Sequence, residues 1–103
     1  MIKQYGFIVK ADNYNFNSDS TALNTSSFST QVVGVSNDED AILVAKRMIE
    51  NGIQLIELCG GFGLKSARYI ISSLDTDVPI GYVTFSDEDN GKLEQIMASH
   101  QIV

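Results

Sequence analysis

Residues 57–66, Glu57-Leu58-Cys59-Gly60-Gly61-Phe62-Gly63-Leu64-Lys65-Ser66, hold the side chains and spacings most suited to chemistry in this chain. An apolar run over 53–59 enters three glycines within four positions, and a helical pattern follows. A glycine-rich strand-to-helix turn leaves backbone N–H groups open, and a helix start adds partial positive charge, so a phosphate or carboxylate is the natural occupant. The helix opens Gly63-Leu64-Lys65-Ser66-Ala67-Arg68, with two cations and no acid. Cations at that pole are unfavourable unless an external anion or a partner carboxylate sits nearby. The expected ligand-binding residues are therefore Gly60, Gly61, Phe62, Gly63, Lys65 and Ser66. Two other readings stay open: Lys65 and Arg68 point into solvent, or they meet a second subunit.

Known phosphate motifs match only in part. For the P-loop, Lys65 and Ser66 fit the last two positions, but Leu64 stands where its second glycine belongs. For the dinucleotide fingerprint, Gly61-Phe62-Gly63-Leu64-Lys65-Ser66 ends in Ser, and the chain has half the strands such a fold requires. No particular cofactor follows.

Glu57 interrupts an apolar strand two residues before Cys59. Central parallel strands are usually continuous apolar runs, so this carboxylate is either a hydrogen-bonded structural acid or a candidate for proton transfer. It is the one candidate catalytic residue. Cys59 reads as a small core cysteine near a helix start. His100 falls on the apolar side of the last helix. One cysteine and one histidine cannot build a zinc set within one chain, so no metal site is expected.

The elements that must position these residues follow from pattern. The chain has 103 residues, 44% of them hydrophobic, and a formal net charge of −6, which suits one small domain. Nucleic acid and anionic membranes are disfavoured as partners, because no basic stripe is present. A single cysteine, no signal-peptide pattern at the start and no long apolar run fit a cytoplasmic protein.

Residues 4–10 predict a first strand. Residues 11–29 are polar and aperiodic and predict a long loop, with Tyr14 or Phe16 available to cover the glycines. Residues 30–35 predict a second strand. Ser36 to Glu39 matches a capping box for a helix that ends at Asn51-Gly52. The third strand is 53–59, followed by a helix burying Leu64, Ala67, Ile70, Ile71 and Leu74. A fourth strand over 78–85 and a third helix capped by Ser86 complete the chain. The third helix carries an apolar stripe of Leu93, Ile96, Met97 and His100. Acidic runs at 38–40 and 87–89 suit helix starts.

Strands alternating with helices imply parallel pairing. The expected class is α/β: a small four-stranded, mainly parallel sheet with three helices, in a flavodoxin-like or half-Rossmann arrangement of order 2-1-3-4. Sequential order is the alternative. Ligands of such sheets bind outside the carboxyl ends of the strands, which is where the glycines fall.

The run Gln54-Leu55-Ile56-Glu57-Leu58-Cys59-Gly60-Gly61-Phe62-Gly63, with Val32-Val33-Gly34-Val35 before it and Val78-Pro79-Ile80-Gly81 after it, resembles a family of small uncharacterised bacterial proteins of similar length. The resemblance implies a stand-alone bacterial protein with the same β/α order and brings no activity or ligand. Two functions are therefore carried forward. One is a domain binding a small anionic metabolite at the glycine turn. The other is a structural or regulatory homo-oligomer in which the turn serves packing and the third helix with His100-Gln101-Ile102-Val103 forms the interface.

Overall fold

The computed structural model describes residues 1–102, with side chains described through Ser99. The elements are β1 (Gln4–Lys10), β2 (Ser20–Asn24), β3 (Ser29–Val35), α1 (Asp38–Glu50), β4 (Leu55–Leu58), α2 (Gly63–Ser72), β5 (Ile80–Tyr82) and α3 (Asp87–Ile102), with a single 3₁₀ turn at Gly60–Phe62. One five-stranded sheet runs β2-β3-β1-β4-β5. The β3-β1-β4-β5 part is parallel, and β2 pairs antiparallel with β3. The chain is thus a mixed α/β domain with a mostly parallel sheet. Its four parallel strands stand in the order second, first, third, fourth. Among the described residues, no helix is long and apolar enough to cross a membrane.

The fifth strand corrects the expectation of four. Within the supposed loop 11–29, Ser20–Asn24 lies against β3 with every residue exposed. An edge strand exposed throughout has no buried face to impose an alternating pattern, so hydrophobicity could not reveal it. Its turn back to β3 is self-contained: the Thr25 hydroxyl accepts from the Ser27 and Phe28 amides, and Thr25 N–H donates to the Phe28 carbonyl.

The core lies between one sheet face and α1 and α2. Ile8, Val33, Val35, Ile56 and Leu58 point to that face and meet Ala41, Val44, Ala45, Met48, Ala67 and Ile70. A Cβ at Gly6 would stand 2.6 Å from the Met48 sulfur, so any larger residue there would force the Met48 side chain to shift. α1 begins one residue later than the Ser36 capping box implies: Asn37 is the cap, and its side-chain oxygen accepts from the Asp40 amide at 2.8 Å. Ser and Asn are comparable caps, and Asn37 reaches the third amide of the helix that actually forms. Gly52, with φ +89°, ends α1 in the left-handed conformation. Ser86 caps α3 as its spacing predicts, accepting from the Asp89 amide. In α2, Leu64 is 49% exposed instead of buried.

The other sheet face is formed by Tyr5, Phe7 and Val9 of β1 with their neighbours Thr30, Val32, Leu55 and Glu57. No helix lies flat across it. α3 leaves β5 on that side, because Leu93 and Met97 share a cleft with Phe7, but it makes only glancing contact with the rest of the chain.

Candidate functional site

The carboxyl ends of β1 and β4 meet the first turns of α1 and α2 at a single corner. Lys10, the last residue of β1, is central to it. Its ammonium donates to the Asp38 carboxylate at 2.8 Å and stands 5.5 Å from the centroid of the Phe62 ring. Its amide donates to Cys59 Sγ at 3.3 Å. Burial alone would push the Asp38 carboxyl up, but the hydrogen bonds of Lys10 and Ser66 and the Lys10 charge together hold it below its usual range. A carboxylate from α1 therefore already lies beside the first turn of α2.

This polar cluster was missed by sequence reasoning. Asp38 reads as one of three acids suited to a helix start, and nothing in spacing links it to residues 28 positions before it or after it. The available signal was the bare cationic opening of α2, which implied a nearby carboxylate without naming it.

The three glycines of the turn differ physically. Gly61 is held close: a Cβ there would meet the Lys10 carbonyl oxygen at 3.0 Å. Gly63 has φ 74° and ψ 167°, a region essentially reserved for glycine. Gly60 has neither constraint, and a Cβ there would first meet Val83 at 3.9 Å. Inside the turn, the Phe62 and Gly63 amides donate to the Cys59 and Gly60 carbonyls. No side chain caps the start of α2.

A cleft of about 840 Å³ opens above this turn. Gly60–Leu64 form one wall, Phe7 contributes from the sheet, and Phe85, Leu93 and Met97 close the far side. The structure thus brings Gly60, Gly61, Phe62 and Gly63 together at one cleft. The Phe62 ring is 6% exposed and belongs to the core, leaving its backbone to face the opening.

Lys65, Ser66 and Glu57 do not line the cleft. Lys65 and Arg68 are exposed, and neither forms an ion pair among the described residues. Ser66 is turned towards Asp38. Glu57 is half-buried on the face away from α1 and α2, in register with Phe7 and beside the Tyr5 hydroxyl. Burial first, and then the Glu57 carboxylate, push the Tyr5 pKa up to about 12.

Cys59 is half-buried against the core. Among the described residues, no three His, Cys, Asp or Glu side chains are grouped as a metal site. The expected stripe residue His100 and the tail to Val103 lie outside the described side chains.

The suggested cover over the glycines is not formed by residues 11–29. Tyr14 lies on Gly34, where a Cβ would come within 2.7 Å of its ring, and Phe16 packs on the α1 side with Arg47 5.2 Å from its ring centroid. The segment wraps the β3 edge of the sheet, on the far side of β1 from the turn.

The fold and the cleft define a mixed α/β protein with a glycine-walled opening at the carboxyl edge of its parallel strands. The chain belongs to a family of unknown function (DUF6506), whose profile matches residues 3–98. No curated protein and no solved structure matches it.

Proposed function

We propose that this chain is a small cytoplasmic binding domain for a metabolite bearing a phosphate or carboxylate. Its sheet is read as a shortened flavodoxin-like one. The anionic end of the ligand sits at the Gly60–Gly63 turn and the uncapped start of α2, and the remainder lies along Phe7, Phe85, Leu93 and Met97. The observation that carries this reading is the 840 Å³ cleft walled by Gly60–Leu64 at the strand ends, where ligands of open α/β sheets bind. The apolar character of the other wall favours a ligand with an apolar body over inorganic phosphate alone. Lys65 contributes long-range attraction from outside the cleft. Glu57, on the same sheet face as Phe7, is the residue proposed for proton transfer in any reaction of the bound molecule.

The test is thermal unfolding against a panel of phosphorylated and carboxylated metabolites. At about 100 times Kd, a ligand stabilises by roughly 2.7 kcal/mol, several degrees for a domain of this size. Gly60→Asp, at a position with room for a side chain, places a carboxylate in the cleft and abolishes the shift. A panel that moves the wild type and the variant equally refutes the site.

A second reading is favoured by Gly61 and Gly63. Their glycines are required by the Lys10 carbonyl and by a positive φ, which a packing role explains without a ligand. In that reading the chain is a non-catalytic structural or regulatory homo-oligomer.

A further inference from the structure

The surface of this chain is too large for a compact monomer. It exposes 7011 Å², about 1,300 Å² more than the ~5,700 Å² expected of a folded monomer of this mass. Its radius of gyration is 14.8 Å, against about 13 Å for a compact chain of this length. α3 contributes to the excess, its Ile96 and Met97 being 58% and 53% exposed. The sheet face of Tyr5, Phe7, Val32 and Leu55, across which no helix is laid, is only half-buried.

Topology explains why no helix covers that face, where Tyr14 lies on Gly34 and Phe28 on Tyr5. Both β-α-β crossovers put their helices, α1 and α2, on the opposite side. The β1-to-β3 connection, the remaining link between neighbouring parallel strands, spends its residues on the edge strand β2 and supplies no helix. A parallel sheet normally has both faces covered. α3 exposes Leu93, Ile96 and Met97, yet it extends away without lying down on its own sheet.

We infer that a second copy of this chain docks on the open sheet face, the α3 helices of the two copies packing reciprocally across it. This rests on the homo-oligomer reading and gives it a specific surface, which shares Phe7, Leu93 and Met97 with the cleft above the glycine turn. The area supports this occupant. Removing about 1,300 Å² per copy gives about 2,600 Å² in total, within the range of permanent homodimers and above the ~1,600 Å² of a standard interface. A two-fold pairing buries both orphan surfaces at once, whereas an unrelated partner on the sheet face leaves the α3 stripe exposed. Glu57, the charged residue within that face, has the Tyr5 hydroxyl beside it and so enters the interface with a donor at hand.

The experiment is the mass in solution of the full chain, by light scattering after gel filtration and by sedimentation at micromolar concentrations. The wild type is expected as a dimer. Ile96→Glu/Met97→Glu changes two side chains more than half exposed in the single chain, so it leaves the protomer fold intact and yields a monomer. Val32→Lys, on the sheet face, is expected to do the same, with the half-buried Thr30→Lys in its place if Val32→Lys does not fold. A monomeric wild type overturns both this proposal and the homo-oligomer reading. A wild-type oligomer that survives either the helix variant or the sheet-face variant overturns this surface alone and leaves that reading standing.

Discussion

Replacing each glycine of the turn by alanine in turn separates packing from binding. Gly60→Ala adds a methyl that meets no atom closer than the Val83 side chain and carbonyl at 3.9 Å, in a backbone conformation open to L-residues. Reduced freedom of the unfolded chain then stabilises the variant by about 0.4–1 kcal/mol. Gly61→Ala drives its Cβ to 3.0 Å from the Lys10 carbonyl. Backbone oxygen cannot rotate aside, so the end of β1 must shift, at a cost of about 1–3 kcal/mol. Gly63→Ala meets no neighbour, but its φ of 74° with ψ 167° costs about 1–3 kcal/mol by conformation alone. Since 1 kcal/mol corresponds to about 4–8 °C for a domain near this size, Gly60→Ala should melt a few degrees above wild type and the other two clearly below. Chemical denaturation checks the same order. With a ligand present, the sign reverses for Gly60→Ala, because its methyl intrudes on the cleft: the variant is more stable empty and gains less on binding. A Gly60→Ala protein that loses stability alongside Gly61→Ala would refute the argument, since it would make all three glycines packing residues.

Other expectations test the frame around the turn. Ile8→Ala removes a fully buried side chain at the centre of the sheet and should cost about 2–5 kcal/mol in denaturant unfolding. Asp38 has a lowered carboxyl pKa, so its ionised form is favoured in the folded state; the stability it contributes is present above its ordinary pKa of about 3.9 and disappears as pH falls through the lower folded value. Asp38→Asn should remove that part of the acid dependence and cost roughly 1 kcal/mol at neutral pH, since the ion pair is partly exposed. Tyr5 has the opposite linkage: its neutral form is favoured when folded, so its contribution is intact below about pH 10 and is lost as pH rises through about 12. An absorbance titration of tyrosinate should show Tyr5 titrating late, as should Tyr69, which the Glu39 carboxylate also pushes up, and Glu57→Gln should bring the Tyr5 step alone earlier.

Much of this architecture was readable from residue pattern. The first strand and α1 were legible because their periodicity, and for α1 the Gly52 stop, agree with the final packing, and α3 because Ser86 caps it as the spacing predicts. The edge strand β2 was hidden because it buries no face, so Ser20–Asn24 looks like loop. Leu64 was misread because helical spacing marks a stripe without saying how wide the covering surface is, and its side lies at the cleft. At the site, the glycines declared a turn, but their separate reasons depend on the Lys10 carbonyl and on one positive φ, both tertiary facts. The Lys10–Asp38 pair crosses 28 residues, a distance over which local spacing is silent.

Lys10 uses its amide, its carbonyl neighbourhood and its ammonium within one corner, and the next amide, that of Ala11, is tied to the Val35 carbonyl. The strand end is thus anchored before the chain departs into the segment that wraps the far edge. A label or short insertion at the exposed Thr25–Phe28 tip would lie at the opposite end of β3 from that anchor, which makes this tip the preferred handle for immobilising the protein while its cleft stays open to solution.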